Sequence, residues 1–210
     1  YRSDNFYQVY GMTESGPTGT VLMPYEQVAK AGSIGSKALP GADLIVMKSD
    51  GFQASIGEIG EIWLQADSMM QGYFKNPEAT AEAFDGPWYK TGDMARIDND
   101  GYLYIVDRTK DMIVTGGENV YSKEVEDVLV SCPEIMEAAV IGIPNAEWGE
   151  TVAAVVVPAK DKVIDSDFIK GFLADKLAKY KIPRVFHIVE TLPHTPTGKV
   201  MKFQLRDQYK

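Results

Sequence analysis

The sequence predicts an α+β fold in which an antiparallel, distorted β-barrel-like unit is followed by a small α+β C-terminal domain. From about residue 42 to residue 107, short strand patterns alternate with turn residues such as Gly, Asn and Pro. After Asp111, patterns typical of helices and of strands follow one another. This change predicts two domains, at residues 1–107 and 112–210, joined by a hinge at residues 108–111.

The barrel-like unit contains runs of apolar and β-branched residues that stand between turn signals. Strands are therefore predicted at residues 44–47, 59–64 and 102–106. A hairpin is predicted at Asn99-Asp100-Gly101, because Asp-Gly tolerates the positive φ angles that a tight primed turn requires.

The C-terminal unit begins with a predicted helix for which Ser122 is a suitable N-cap. The apolar residues on one face of that helix are Val125, Val128 and Leu129. Strands are predicted at residues 138–143, 152–157 and 185–189, and a second helix at residues 166–179. The apolar residues that recur at helical spacing in the second helix are Phe168, Ile169, Phe172, Leu173 and Leu177.

The composition excludes several classes of function. The 210 residues include 21 Lys and Arg against 30 Asp and Glu, which gives a net charge of −9. This charge repels a phosphate backbone, so the sequence predicts no nucleic-acid partner. Because no stretch approaches the roughly 20 consecutive apolar residues of a membrane helix, no membrane span is predicted.

The cysteine content and the first residues indicate the setting of the chain. Cys132 is the only cysteine, which excludes an internal disulfide and a thiol-based zinc cluster. A reducing compartment suits this composition, and we predict a cytoplasmic protein. Because Tyr1-Arg2-Ser3-Asp4 has neither an initiating Met nor a signal-peptide pattern, we expect the chain to be truncated at its front.

Four short segments stand out because they combine glycine, hydroxyl and charged side chains. They are Tyr10-Gly11-Met12-Thr13-Glu14, Tyr89-Lys90-Thr91-Gly92-Asp93, Asp107-Arg108-Thr109-Lys110-Asp111 running into Gly116-Gly117-Glu118, and Pro196-Thr197-Gly198-Lys199. Each has a structural alternative when taken alone. The first fits a strand end before a capped helix, Thr-Gly-Asp fits a plain turn, and Lys199 fits a solvated loop position.

Taken together, the order and spacing of these segments closely resemble the adenylate-forming (AMP-binding) superfamily. That superfamily includes acyl- and aryl-CoA synthetases, adenylation domains of peptide synthetases and beetle luciferases. The resemblance runs from Tyr10 to about Arg206 and includes the phrases GYFKNPEATAEAF, DGYLYIVDRTKDMIVTGGENVYSKEVE and LPHTPTGKVMK. It implies the C-terminal part of an AMP-forming acyl-CoA synthetase that joins a carboxylic acid to AMP and then transfers the acyl group to CoA.

The resemblance also implies roles for residues of the first segment. Thr13 would contact phosphate oxygens, and Glu14 would hold Mg²⁺, which suits a hydroxyl donor and a hard anionic oxygen. Tyr10 would lie along the adenine of ATP, with Gly11 in the same nucleotide-binding segment. Thr13 and Glu14 are therefore candidate catalytic residues, and Glu14 is the candidate metal ligand.

Further roles are implied for the other segments. Asp93 would accept hydrogen bonds from the ribose, and Arg108 would donate to the same sugar region. A salt bridge of Arg108 to Asp107 or Asp111 is the structural alternative. Lys199 would reach between the substrate carboxylate and the α-phosphate, where a cation stabilises the charge of the transition state.

The family rotates its C-terminal domain between the two half-reactions, and Lys110 occupies the hinge position. In this family, rotation of the C-terminal domain places residues that line the pantetheine tunnel for CoA at the active site. The residues matched to that tunnel are Gly116, Gly117, Glu118, Trp148 and Tyr180. For Gly116 and Gly117 a simple β-turn is the alternative, and for the two aromatic residues it is packing. Basic residues that could attract the phosphates of CoA are Lys176, Lys179, Lys181 and Arg184.

The family's Gly-rich Ser/Thr phosphate loop and most of its acyl pocket are absent from these residues. The chain alone is therefore expected to be inactive and to need the missing N-terminal part of its own chain. The predicted substrates are a carboxylic acid, fatty or aromatic, with ATP, Mg²⁺ and CoA. The alternatives are an adenylation domain that loads a carrier-protein thiol, a luciferase-like oxidase, and a non-catalytic binding or regulatory fragment.

Overall fold

The computed structural model describes residues 5–16 and 18–210. The chain divides into two compact units, one ending at Thr109 and the other running from Lys110 to Lys210. The predicted α+β class is confirmed, with antiparallel sheets as the main feature of both units. In the part of the chain that is described, no helix has the length and apolar character needed to cross a membrane.

The first unit consists of a hairpin, a five-stranded sheet and one short helix. The hairpin pairs β1 (Gln8–Gly11) with β2 (Gly19–Leu22). The remaining elements, in chain order, are β3 (Ala42–Met47), β4 (Ile59–Ala66), α1 (Pro77–Ala83), β5 (Phe84–Asp85), β6 (Trp88–Ile97) and β7 (Leu103–Arg108). The sheet order is β3-β4-β6-β5, and β7 also pairs with β6.

The predicted antiparallel, barrel-like unit is present, but its sheet is open. Among the strands of the described residues, β3 pairs with β4 and β7 pairs with β6, so these strands form an open sheet and not a closed barrel. Alternate residues of the strands point to one face and form the core there, as the two-residue period of a strand requires. The buried core residues are Ile34, Val46, Ile62, Leu64, Ala95 and Leu103.

The predicted hairpin between β6 and β7 is present, but its turn differs from the prediction. Of its residues only Gly101 has a positive φ, of 83°, whereas a primed turn needs two such residues. The Gly101 amide donates to the Asp98 carbonyl at 3.0 Å, and the Asp98 carboxylate accepts from the amides of Asp100 and Tyr102. These side-chain bonds stabilise an ordinary turn that ends in a left-handed glycine.

The second unit is a five-stranded sheet with helices on both faces. Its elements are β8 (Ile113–Thr115), β9 (Glu118–Val120), α2 (Ser122–Val130), β10 (Ile135–Asn145), β11 (Gly149–Pro158), α3 (Ser166–Leu173), β12 (Val185–Ile188) and α4 (Lys202–Tyr209). The order is β10-β11-β8-β9, with β12 parallel to β11.

Two cores lie on opposite faces of this sheet. Val152 and Val156 of β11 pack in the cluster that includes Leu129 of α2 and Leu173 of α3. The alternate residues of β11 pack in a second cluster, which includes Leu205 of α4. Because β11 is buried on both faces from Val152 to Val157, that part of its sequence is a continuous apolar run.

Both predicted helices of this unit need correction at one end. The N-cap of α2 is Tyr121, and Ser122 is its first helical residue, with a side chain that accepts a hydrogen bond from Lys202. The second helix ends at Leu173 and not at Lys179. The Lys176 and Leu177 amides both donate to the Leu173 carbonyl, and this turn returns Leu177 to the core.

Candidate functional site

The segment from Tyr10 to Glu14 runs from the end of β1 into a 3₁₀ turn at Thr13–Ser15. Gly11 pairs with Gly19 of β2. A Cβ added to Gly19 would lie 1.9 Å from the Tyr10 carbonyl oxygen. Only glycine allows this close approach of the two strands. Gly11 and Thr13 line an open surface depression, and Thr13 itself is exposed.

The Thr91-Gly92-Asp93 segment is a bulge inside β6 and not a plain turn. The register of β4 against β6 shifts here, and Gly92 takes a φ of 73°. The bulge is held by the Thr91 hydroxyl, which donates to the Ile62 carbonyl at 2.7 Å and accepts from the Asp93 amide at 3.1 Å. A bulge re-aims the side chain beside it, which here is the Asp93 carboxylate.

Asp93 contacts two other predicted site residues, Tyr10 and Arg108, and forms one cluster with them. Its Oδ2 accepts a hydrogen bond from the Tyr10 hydroxyl at 2.8 Å, and its Oδ1 lies 3.2 Å from Nε of Arg108. Arg108 therefore pairs with Asp93 in the first unit, and Asp111 pairs with Arg206 at 2.7 Å in the second unit.

The cluster retains capacity for a ligand. The Arg108 side chain is 52% exposed, whereas the Asp93 side chain is 18% exposed. Burial, and to a smaller extent the Asp93 charge, raise the pKa of Tyr10 well above its ordinary value, so its hydroxyl stays a donor. The arrangement therefore offers a fixed carboxylate, an aromatic ring and a partly free guanidinium on one surface.

Glu14 lies in a second set of contacts in the same unit. Its Oε1 accepts a hydrogen bond from the Tyr73 hydroxyl at 3.2 Å, and the Tyr73 hydroxyl lies 3.2 Å from that of Tyr89. Across residues 5–16 and 18–210, no group of three or more His, Cys, Asp or Glu side chains is arranged to hold a metal. Glu14 alone still fits Mg²⁺, which often takes one protein carboxylate together with substrate phosphates.

In the second unit, Gly116 and Gly117 form the two-residue turn between β8 and β9. Both have positive φ, of 59° and 83°, as a type I′ turn requires. The β-turn alternative therefore describes their conformation. A Cβ on Gly116 would lie 2.7 Å from the Trp148 ring, and the Gly116 amide donates to the Trp148 carbonyl at 2.9 Å.

The other residues matched to the CoA tunnel have mainly structural contacts. The Trp148 ring lies beneath Arg184, whose guanidinium carbon is 4.4 Å from the ring centroid. Glu118 pairs with Thr115 across the hairpin, and Tyr180 is 39% exposed in a short 3₁₀ turn. Lys181 binds both oxygens of Glu124 at 2.7 Å, which neutralises one of the four basic side chains predicted to attract phosphates.

Lys199 lies in a tight, exposed loop. The Thr195 amide donates to the Lys199 carbonyl at 2.8 Å, and the Lys199 amide donates to the Thr195 hydroxyl at 3.1 Å. Gly198, with a φ of 83°, completes the turn. Among the described residues, the Lys199 ammonium has no hydrogen-bond or ion-pair partner, so the loop presents a free cation on a fixed backbone.

Lys110 is exposed and lies in a 3₁₀ turn, Thr109–Asp111, where the chain passes from one compact unit to the next. The sequence indicated no role for Tyr73 or for Tyr89, although Tyr89 begins one of the four segments that stand out. Tyr73 stands inside the quoted phrase GYFKNPEATAEAF, but only its contact with Glu14 distinguishes it from an ordinary loop tyrosine.

Comparison with protein families gives two matches. Residues 1–74 match the family described as AMP-binding enzyme, and residues 124–199 match the AMP-binding enzyme C-terminal domain. The two matches follow the order of the two units, and they include both Glu14 and Lys199.

Individual relatives agree with these matches. The chain is 44% identical over 202 residues to the long-chain-fatty-acid–CoA ligase FadD13 of Mycobacterium tuberculosis, covering 96% of this chain and 40% of that protein. It is 42% identical to a feruloyl-CoA synthase of Amycolatopsis, covering 97% of this chain and 41% of the relative. It thus spans about two fifths of the length of these relatives.

A solved structure is similar in both sequence and fold. It is the o-succinylbenzoate CoA synthetase (MenE) from Bacillus subtilis in complex with its acyl-adenylate intermediate. The TM-score is 0.85 at 37% identity, with 96% of this chain and 41% of that chain covered.

Proposed function

The chain belongs to the AMP-binding enzyme family, and from this premise we propose that a protein carrying it is an AMP-forming acid–thiol ligase. Such an enzyme activates a carboxylic acid as acyl-AMP, with release of pyrophosphate, and then transfers the acyl group to CoA. The observation that carries the proposal is the cluster of Tyr10, Asp93 and Arg108 around one carboxylate.

In this proposal the cluster binds the nucleoside part of ATP. The Asp93 carboxylate accepts hydrogen bonds from the ribose hydroxyls, and Arg108 donates to the same sugar region from its exposed side. The Tyr10 ring lies along the adenine, while its hydroxyl keeps Asp93 in place. None of these groups reacts, so they fix AMP through both half-reactions.

Thr13 and Glu14 act on the phosphates. The exposed hydroxyl of Thr13 donates to a phosphate oxygen, and the Glu14 carboxylate would hold Mg²⁺. A bound Mg²⁺ would supply positive charge that offsets the negative charge of the phosphates.

Lys199 is the proposed catalytic cation of the first half-reaction. Its ammonium group, which is free of partners in the described residues, neutralises charge between the acid carboxylate and the α-phosphate. Lys110 is the proposed pivot for the second half-reaction. The turn at Gly116 and Gly117 then contributes to the tunnel for the pantetheine arm of CoA, with Glu118, Trp148 and Tyr180 near it in the family's pattern.

The proposed substrate is a fatty or aromatic acid. Support comes from the relatives, which are named for a long-chain fatty acid and for ferulate. The proposed setting remains cytoplasmic, because Cys132 is a free, buried thiol.

The deciding experiment measures pyrophosphate release by the full-length protein across a panel of fatty and aromatic acids, with and without CoA. We expect acid-dependent release and formation of an acyl-CoA. Acyl transfer to a carrier-protein thiol in place of CoA would favour an adenylation domain. A full-length protein that releases no pyrophosphate with any acid would contradict the proposal and favour a binding or regulatory role.

A further inference from the structure

Three side-chain oxygens form a row that leads from the sheet of the first unit to Glu14. The Tyr89 hydroxyl lies 3.2 Å from the Tyr73 hydroxyl, and the Tyr73 hydroxyl donates to Oε1 of Glu14 at 3.2 Å. Tyr89 belongs to β6 and is only 5% exposed. The row therefore begins at a rigid, buried position and ends at the carboxylate.

The direction of these hydrogen bonds follows from the number of protons. A tyrosine hydroxyl carries one proton, and an ionised carboxylate can only accept. If the Tyr73 proton points to Glu14, the Tyr89 hydroxyl must supply the proton between the two tyrosines. Tyr89 thus fixes Tyr73, and Tyr73 fixes Glu14.

The backbone on either side of Tyr73 is also held. Its amide donates to the Thr80 hydroxyl at 2.9 Å, and its carbonyl accepts from the Asn76 amide at 3.1 Å. Asn76 in turn caps α1 by accepting from the Ala79 amide at 3.1 Å. The Tyr73 hydroxyl is therefore presented from a segment anchored to a helix and not from a loose loop.

We propose that Tyr73 is a positioning residue for the metal ligand Glu14. Its hydrogen bond occupies Oε1 and leaves Oε2, which has no partner among the described residues, free to bind the cation. This inference rests on the proposed role of Glu14. Hydrogen-bond partners of metal ligands typically contribute about 10- to 100-fold to metal affinity, because they fix the orientation of the ligand.

The test uses Mn²⁺ as a spectroscopic probe in place of Mg²⁺. Binding of Mn²⁺ to the full-length protein is followed by the electron paramagnetic resonance of the free ion, with AMP present because ATP itself chelates Mn²⁺ and would remove the free-ion signal, so catalytic turnover is not the readout. We expect Tyr73→Phe to weaken Mn²⁺ binding by about 10-fold or more. Affinity for AMP measured without metal should stay unchanged, which also shows that the variant is folded.

A matched control exists in the same unit. The Tyr102 hydroxyl donates to Oε1 of Glu26 at 2.7 Å, a second Tyr–Glu pair, and neither residue has a proposed part in the site. Tyr102→Phe should leave Mn²⁺ binding unchanged. Tyr89→Phe removes the hydroxyl that fixes Tyr73 but keeps the Tyr73 hydroxyl that donates to Glu14. It should therefore weaken Mn²⁺ binding less than Tyr73→Phe does.

Glu14→Gln separates failure of the inference from failure of the proposed function. If Glu14→Gln binds Mn²⁺ as the wild type does, Glu14 is not the metal ligand and the proposed role itself is wrong. If Glu14→Gln loses Mn²⁺ binding but Tyr73→Phe retains it, Glu14 is the ligand and Tyr73 does not position it. Equal losses of AMP and Mn²⁺ affinity in Tyr73→Phe would also overturn the inference, since they would show a general disturbance of the site.

Discussion

Replacement of Asp93 by Asn separates the structural contacts of this residue from its proposed contact with the nucleotide. The Asn carbonyl oxygen can still accept the hydrogen bond from Tyr10, so that contact survives. The ion pair with Arg108 is lost, but it is partly exposed to solvent and contributes only about 0.2–1 kcal/mol. We therefore expect the free energy of unfolding to fall by no more than about 1 kcal/mol.

The effect on nucleotide binding should be larger. A hydrogen bond to a charged group contributes about 1.5–3 kcal/mol, so loss of the Asp93 charge should weaken AMP binding by about 10- to 100-fold. By comparison, Asp93→Ala also removes the acceptor for the Tyr10 hydroxyl, which should cost about 1–3 kcal/mol of stability.

The assay is isothermal titration of the full-length protein with AMP, together with urea denaturation of each variant. Tyr10→Phe is the control, because it removes the hydrogen bond but keeps both the carboxylate and the aromatic ring. AMP affinity equal to that of the wild type in Asp93→Asn would refute the reasoning and would show that Asp93 serves only the fold.

Three other predictions concern different parts of the chain. The 210 residues alone should bind ATP weakly and release no pyrophosphate, and acid-dependent release from the pure chain would contradict this. Lys110→Pro fixes φ near −65°, so it should impair either adenylation or transfer to CoA much more than the other step. Lys110→Ala should have only a mild effect on both rates. If both variants impair both rates equally, Lys110 is a contact residue and not a pivot. Burial of His187, whose ring stacks on Tyr209 at 3.8 Å, lowers its pKa below the ordinary 6.5, so the unfolded chain binds this proton more readily than the native state does. The stability due to neutral His187 is therefore present above about pH 6.5 and lost as pH falls towards the native pKa. The melting temperature of the wild type should therefore fall more steeply with decreasing pH than that of His187→Phe. Identical slopes of melting temperature against pH would contradict this.

The strands were predictable because their apolar residues follow a clear pattern, but their full lengths were not. The prediction of a strand at residues 138–143 covers only the middle of β10, which runs from Ile135 to Asn145. The extra residues are paired with β11, as Asn145 is with Gly149. Such pairing depends on the partner strand and leaves little trace in the hydrophobicity of either end.

Helix α4 was not predicted, because the few apolar and aromatic residues of Lys202–Tyr209 do not form a clear helical stripe. It is held by contacts with distant parts of the chain. Lys202 pairs with Glu126 of α2 at 2.7 Å, Arg206 pairs with Asp111 at 2.7 Å, and Leu205 is buried. Long-range pairs of this kind cannot be read from local periodicity.

The candidate site was predictable residue by residue only through its resemblance to a family, and its geometry was not predictable. The sequence Thr-Gly-Asp is compatible with a turn, and only the pairing of β4 with β6 makes it a bulge that aims Asp93 at Tyr10 and Arg108. Likewise, nothing in the sequence links Glu14 to Tyr73, which lies 59 residues away along the chain.

The most direct test of the proposed function is to measure the two half-reactions of Lys199→Ala in the full-length protein. Pyrophosphate release from ATP and the acid reports adenylation, and thioester formation from supplied acyl-AMP and CoA reports transfer. Because Lys199 presents an unpaired cation from a fixed loop, its loss should slow adenylation by roughly 100-fold or more and largely spare transfer. Equal losses in both half-reactions, in a folded variant, would contradict the assignment of Lys199 to the first step.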